Sequence, residues 1–326
     1  MKRAAAFGYV ACDVTVRDAM VAYSAGGTSA NVSANLAVLG WQVKLHARLG
    51  VDTAGRLIQD DLNSDGVELS GASIDPDVST PVVIIEPDSR MPKYRFKCPH
   101  CGTPYARHRP AREVDDSVPH DIDVIFIDRT STTSIKVAEQ ARDMGKTVFF
   151  EPNGLGSPRM FERLISAAHL VKFSYDRATD FWPFLANASA EQVQICTLGK
   201  EGFALRHPLG DWLRFSAPVT TAVDTVGAGD MFTAALLDIW LDLRSSNTPR
   251  MDEIVDAAVE AQWFAVAQVK RPGARGLTRG RSRDEVLAEV KSVRAGADKY
   301  RTEREAWNSV PFDECGSWLC RNLTGH

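Results

Sequence analysis

The chain lacks the features that would classify it at a glance. No stretch of its 326 residues approaches the roughly 18–20 apolar residues needed to span a bilayer, so no segment reads as membrane-spanning. The N-terminal run MKRAAAFGYVACDV begins with basic residues, but its apolar part is short and Asp13 interrupts it, which argues against a signal peptide. Six cysteines in a chain of this length do not make a disulfide scaffold. Together these absences point to the cytoplasm.

The common nucleotide-binding signatures are missing as well. A P-loop needs G-x-x-x-x-G-K-[ST], because its lysine must reach the terminal phosphates that the loop backbone cradles. Here Gly199–Lys200 lacks the earlier glycine and runs into Glu201. The segment GAGDMF fails the dinucleotide fingerprint at its last position, and the H-R-D and D-F-G motifs of protein kinases do not occur. No G-x-S-x-G elbow suggests a hydrolase. One further absence is local. From Arg90 to Arg112 the chain has five arginines and two lysines but no aspartate or glutamate. The net charge of −4 and the thin scatter of aromatics there exclude nucleic-acid binding as the reading of that basic run.

What is present is a soluble α/β pattern, 44% hydrophobic and 25% charged. Residues 4–10 read as a buried strand and 43–49 as an alternating one, with a helix between them from about Thr28 to Gly40. TPVVIIEP is a further extended run. From residue 122, IDVIFID, KTVFFEP, AHLVKFS and VQICTLG alternate with helical segments near 134–144, 158–167 and 177–187. Such β–α repetition predicts a mostly parallel, Rossmann-like sheet covered by helices on both faces. A hairpin is expected around Gly210–Asp211, followed by helices near 228–243, 251–269 and 282–294. The expected organisation is one domain over 1–296, a small β-sheet appendage from about 9–24 and 79–110, and a polar extension over 297–326.

One stretch carries chemistry. In VDTVGAGDMFTAALLDIW the glycines precede an apolar helix on which Phe232, Ala235, Leu236, Ile239 and Trp240 recur at helical spacing. The first turn of a helix has N–H groups without intrahelical partners, and its dipole adds positive character. Glycines let an anion approach that backbone closely. Asp230, at the same point, could take a proton from an attacking hydroxyl. Alone, it reads first as a stabilising acid in a first turn.

The surrounding motifs resemble those of the ribokinase-like carbohydrate kinases, the PfkB family. DTVGAGD followed by an apolar helix matches the family's C-terminal signature. GGTSANVSANLAVLG is similar to its N-terminal one through Gly26, Gly27, Asn31, Leu39 and Gly40. RLGVDTAGRLIQDDLNSDGVE, CTLGKEGFAL and KRPGA follow in the family's order, so the resemblance covers about residues 4–295. It implies a ribokinase-like fold with a small β-sheet lid that often mediates homodimers, and transfer of the ATP γ-phosphate to a sugar hydroxyl with Mg²⁺. Carried over, Asp230 is the base and the amides of Gly227, Ala228 and Gly229 form the anion hole. Asp13, Gly26, Gly27 and Asn31 face the acceptor. Thr197, Gly199, Gly202 and Gly273 lie along ATP, with Asp224 and Thr225 beside them. Asp224 either organises its loop or serves a monovalent cation. Nucleoside phosphorylation, or a catalytically weak sensing module, stands as the alternative.

Two departures stand out. The family's N-x-x-E pattern is absent, with Ser174 and Arg177 at its defining positions, and Glu151 stands where an aspartate is frequent. The lid carries CPHCG, a zinc-knuckle spacing, and the tail offers Cys315 and Cys320. Cys98, Cys101, Cys315 and Cys320 read as a zinc site or as free thiols. Arg95 and Arg107 in the basic run, and Arg129 after a strand, are candidates for an anionic group on the acceptor, against a reading as solvated surface charge.

Overall fold

The computed structural model describes residues 1–17, 20–86, 93–111, 120–186, 188–208, 210–297 and 304–306. Strand β1 (Arg3–Phe7) leads into the hairpin β2 (Ala11–Arg17) and β3 (Met20–Gly26), then helix α1 (Thr28–Val38). β4 (Gln42–His46), β5 (Arg48–Gly50), α2 (Thr53–Ser64), β6 (Ser73–Asp75), β7 (Val82–Glu86) and β8 (Lys93–Arg95) follow. Next come β9 (Val124–Ile127), α3 (Thr132–Asp143), β10 (Thr147–Phe150), α4 (Pro158–Ala167) and β11 (Leu170–Ser174). The last part comprises α5 (Trp182–Leu185), β12 (Val193–Thr197), β13 (Phe203–Arg206), β14 (Leu213–Phe215), α6 (Ala228–Leu243), α7 (Met251–Val269), α8 (Arg283–Ala295) and β15 (Arg304–Ala306).

The main sheet has nine strands in the order β15-β14-β13-β12-β11-β10-β9-β1-β4. Pairs from β4 to β12 are parallel, and β13, β14 and β15 extend the edge antiparallel. VIFI and TVFF are buried along their whole length, as strands with both faces covered must be. The pleat sorts side chains between two cores. Ala4, Ala6, Phe126 and Phe149 meet Leu236 and Trp240 of α6 on one face. Ala5, Phe7, Ile125 and Phe150 meet Ile135 of α3 and Phe161 of α4 on the other. The expected Rossmann-like, helix-flanked sheet is therefore the observed one.

A separate four-stranded sheet has the order β3-β2-β7-β8. β2 pairs antiparallel with β3 and parallel with β7, and β8 closes the sheet antiparallel to β7. The hairpin joining β13 to β14 is present as expected.

Three elements differ from the expectation. The strand expected over 43–49 is split, because β4 stays in the main sheet whereas β5 pairs with β6 in a separate ribbon. The helix expected near 177–187 is a 3-10 turn (Tyr175–Asp180) followed by the one-turn α5. Pro183 lies in the first turn of α5. It has no N–H to bond back toward residue 179, so a continuous helix cannot pass through it. The strand expected to run to residue 10 ends at Phe7, and just beyond it the backbone at Gly8 passes so close to Asp128 that a Cβ would fall 1.5 Å from its Oδ1.

Candidate active site

Two glycine-led helix N-termini, those of α1 and α6, meet beyond the carboxyl ends of the parallel strands, where ligands of open α/β sheets bind. At the start of α6, Gly227 takes a left-handed φ of 76°. A Cβ there would lie 2.0 Å from the Ala274 carbonyl oxygen. The loop ahead of it is tied down from within. Asp224 accepts hydrogen bonds from Val226 N at 3.0 Å and Gly273 N at 2.9 Å. Gln268 donates to Gly273 O at 2.6 Å and accepts from Leu277 N at 3.0 Å. With both oxygens engaged by backbone amides, Asp224 organises the two loops flanking the helix start.

The same geometry makes a prediction. Gly227→Ala should lose about 1–3 kcal/mol of stability from backbone strain plus the collision with Ala274, and turnover with it. Gly273→Ala also sits at positive φ, 84°, but with nothing within 4 Å of its added Cβ, so it should cost only about 1–2 kcal/mol. Thermal melts and steady-state kinetics of the two variants check the contrast.

Asp230 lies in the first turn of α6 and accepts a 2.7 Å hydrogen bond from Asn31 Nδ2 on α1. A carboxylate can only accept, so the Asn31 amide nitrogen faces Asp230. Its Oδ1 is then buried without a hydrogen-bond partner among the described residues. Gly27, the N-cap of α1, allows the approach: its φ is 93°, and a Cβ would stand 2.4 Å from Tyr9 O.

Asp13 on β2 is buried against Gly26, where a Cβ would come 1.8 Å from its Oδ2. Burial pushes Asp13 up to about 7, opposed by Arg275 and reinforced by Asp230. Asp230 is pushed up to about 6, chiefly by burial and then by the charge of Glu151. The Asn31 amide and Lys172 pull it back. Two carboxyl groups that titrate close to neutrality in one cleft are suited to proton transfer.

Beneath Asp230 lies a cluster that sequence reasoning missed. Lys172 on β11 is only 2% exposed and pairs with Glu151, which follows β10 and is 9% exposed. The Lys172 ammonium also donates to Gly229 O at 3.1 Å, and the Thr233 hydroxyl donates to Glu151 Oε2 at 2.7 Å. This pair braces the first turn of α6 from below. Asp128, after β9, accepts from Tyr9 N at 2.7 Å and the Ser29 hydroxyl at 3.0 Å. Arg275 is buried between Asp61 of α2 and Asp65 at its C-cap and donates to Ala25 O at 3.2 Å, joining α2 to the end of β3. The legible signals were Glu151, standing where the family often has an aspartate, and a lone lysine in the apolar run AHLVKFS; nothing local told that the two would pair.

Beside the start of α1, the Arg129 guanidinium sits 4.9 Å from the centre of the Tyr9 ring, and His108 packs edge-on against the same ring at 5.4 Å. Burial, then the charge of Arg129, pushes His108 down to about 4, so it is neutral. Arg177 bonds Asn153, which donates to Thr28 Oγ1 at 2.9 Å. Arg95 is not brought to this group: it is exposed and pairs with Glu86 across the small sheet. Its neighbour Tyr94, on the opposite side of the pleat, is the one whose phenol is pushed up by burial and by Asp13 and Asp230. Arg107 is exposed.

On the far side of the α6 N-terminus, Thr197 ends β12, and Gly199 and Gly202 take φ of 58° and 104°. Gly199 and Gly273 both leave open space where a side chain would stand, a backbone that a nucleotide can approach. Thr225 is exposed beside them. Among the described residues, no three His, Cys, Asp or Glu side chains converge as a metal site. Cys98 and Cys101 lie outside this cleft on an exposed hairpin, and Cys315 and Cys320 lie outside the described residues.

Comparison with known proteins identifies the family. The chain is 27% identical over 262 residues to the ATP-dependent ribose-1-phosphate kinase of Halopiger xanaduensis, covering 74% of this chain and 86% of that one. It is 26% identical over 251 residues to the aminoimidazole riboside kinase of Salmonella typhimurium, covering 65% and 72%. Among solved structures, the fructokinase of Xylella fastidiosa with bound ATP superposes with a TM-score of 0.69 at 19% identity, over 89% of this chain and 98% of that one. The aminoimidazole riboside kinase of Salmonella enterica gives 0.66 at 22%, over 88% and 99%. Residues 5–279 match the model of the pfkB family carbohydrate kinases, and the chain belongs to that family.

Proposed function

We propose that the protein transfers the γ-phosphate of ATP to a hydroxyl of a sugar derivative that carries an anionic group. The observation that carries the transfer is Asp230: a partly covered carboxyl group, pushed up to about 6 and held by Asn31 at 2.7 Å, beside the glycine-led start of α6. The acceptor hydroxyl gives its proton to Asp230, and its oxygen bonds to the γ-phosphorus. The bond from that phosphorus to the β–γ bridging oxygen breaks, and ADP leaves. The amides of Gly227, Ala228, Gly229 and Asp230 face the equatorial oxygens and stabilise the charge that develops there.

A Mg²⁺ ion arriving with the nucleotide would neutralise its phosphates, and would need few ligands from the chain because this ion is commonly held by phosphate oxygens and water. No residue of the chain need supply an N-x-x-E pattern for that. A monovalent cation near Asp224 would have to share a carboxylate already engaged by two amides, so we assign Asp224 to the loop. The small sheet acts as a lid over the acceptor. Its outer hairpin exposes Val16, Met20, Val21 and Tyr23, a surface suited to pairing two copies of the chain.

The anionic reading rests on Arg129 and Arg177 at the acceptor side, with Tyr94 above. The Halopiger xanaduensis relative is, by its name, a kinase of a phosphorylated ribose. ADP release measured across neutral sugars, sugar acids, sugar phosphates and nucleosides tests it. A sugar phosphate or sugar acid should be preferred. Arg129→Ala should raise the KM for that acceptor about 10–100-fold, the worth of one charge-assisted hydrogen bond, with a smaller change in kcat. Preference for a neutral sugar or a nucleoside, with Arg129→Ala indifferent, would overturn the anionic reading and leave the transfer intact.

A further inference from the structure

The turn after α7 touches both halves of the cleft. Its backbone borders the start of α6: Gly273 N donates to Asp224 at 2.9 Å, and Ala274 O packs so closely on Gly227 that a Cβ there would lie 2.0 Å away. The turn is also braced. Gly276 N donates to Gly273 O at 3.1 Å, Arg279 N to Arg275 O at 2.9 Å, and Gln268 bonds both Gly273 O and Leu277 N. Its next side chain reaches the other half. Arg275 runs to the small sheet, where its guanidinium, 2% exposed, pairs with Asp61 and Asp65 and donates to Ala25 O at 3.2 Å.

Ala25 is the last residue but one of β3, an edge strand of the small sheet. Edge strands carry peptide groups that no neighbouring strand bonds. At Ala25 a charged side-chain pair takes both of them: the N–H donates to Asp61 Oδ2 at 2.7 Å, and the carbonyl accepts from Arg275. The clasp thus grips the chain immediately before Gly26 and Gly27. Those two glycines are tightly seated, since a Cβ at Gly26 would come 1.8 Å from Asp13 Oδ2 and one at Gly27 2.4 Å from Tyr9 O. A shift of this backbone therefore moves against Asp13 and Tyr9, because packed interiors transmit displacement. Arg275 also reaches Asp13 through its field. Burial pushes that carboxyl up, and Arg275 is the strongest charge opposing the rise.

Stability alone does not account for the clasp. A buried ion pair adds little over well-packed apolar side chains of the same volume, and apolar residues could hold α2 against β3. They could not hold the N–H and the carbonyl of one residue from a turn on the opposite side of the cleft.

We propose that Arg275 is a positioning residue that couples the two substrates: a nucleotide settling on the Gly273 turn fixes, through Arg275 and Asp61, the Ala25–Gly27 backbone that faces the acceptor. The coupling rests on the nucleotide and acceptor sides assigned under the proposed function. It is reciprocal, as coupling between binding sites must be, so an acceptor seated at Gly26 and Gly27 tightens the nucleotide in turn.

Hydrogen exchange of the full-length protein, with ADP and Mg²⁺ as the probe, tests this without knowledge of the acceptor. In the wild type, ADP should slow exchange over residues 222–230 and 271–277, which border it. It should also slow residues 22–27, which do not, by about fivefold or more. Arg275→Lys keeps the charge but cannot bridge two carboxylates and a carbonyl at once. ADP should still protect 222–230 in this variant and no longer protect 22–27. Arg275→Met with Asp65→Asn removes one charge of each sign and leaves Asp61 paired with Arg279. It serves as the second variant where lysine prevents folding, and the same loss is expected. An arginine with a merely structural role would lower the melting temperature on substitution yet leave the ADP-induced protection of 22–27 in place. That result would overturn the proposal, as would a wild type in which ADP slows only the two bordering segments. No slowing in any segment would overturn the nucleotide reading itself, and the coupling with it.

Discussion

Asp230→Asn is expected to lower kcat by about 10²–10⁴-fold, the usual worth of a positioned general base. Asparagine keeps the size and polarity of the side chain, so the nucleotide KM should change little, and coupled measurement of ADP release separates the two constants. The carboxylate is the working form. Because Asp230 is pushed up to about 6, wild-type kcat/KM should rise about tenfold per pH unit on the acid side and level off above that value. Asn31→Ala removes the amide that favours the charged form, so the acid limb should move to higher pH. Asp13 is also raised, to about 7, and would give its own limb if it were the base. Asp13→Asn should therefore leave the limb near 6. Undiminished turnover in Asp230→Asn, or a limb that disappears with Asp13 instead, would remove Asp230 from the proton transfer.

The central sheet was legible because its strands are buried on both faces. Runs such as VIFI and TVFF have no polar position that a half-exposed strand would show. The apolar helix after Gly229 was legible for the complementary reason, a stripe repeating at 3.6 residues. Less visible were features decided by contacts distant in sequence. The split of 43–49 depends on Arg48, Leu49 and Gly50 finding partners at residues 73–75, which no local pattern encodes. At residues 177–187 the local signal was present, and Pro183 should have outweighed the helical spacing.

The site divides in the same way. Its glycines were readable because each answers a local demand: Gly27 and Gly227 hold φ of 93° and 76° with backbone carbonyls where a side chain would begin. The grouping of the charges beneath them was not readable. Asp128 and Glu151 directly follow β9 and β10, Lys172 lies within β11, and only the sheet sets these three strands side by side. Arg95 illustrates a one-residue limit. The composition of the basic run suggested the arginine, whereas Arg95 pairs with Glu86 and it is the neighbouring Tyr94 that feels the charges of Asp13 and Asp230.

The Lys172–Glu151 pair carries the second large effect. Lys172→Met should cost about 3–5 kcal/mol, because it strands a carboxylate in a site too enclosed to hydrate it. The melting temperature and the denaturant midpoint should both fall. Lys172→Met combined with Glu151→Gln removes both charges and leaves a neutral amide to meet the Thr233 hydroxyl, so most of that stability should return. Turnover should not return with it. Lys172 fixes the Gly229 carbonyl at 3.1 Å, and that peptide belongs to the first turn whose amides we propose meet the transferring phosphoryl group. Recovery of stability without recovery of kcat would separate the two duties of the pair: a charge balance that an uncharged core can replace, and an anchor for the helix start that it cannot. If the double variant regains both, the pair is packing alone, and the geometry of the anion hole is set by Gly227 and its neighbours without help from below.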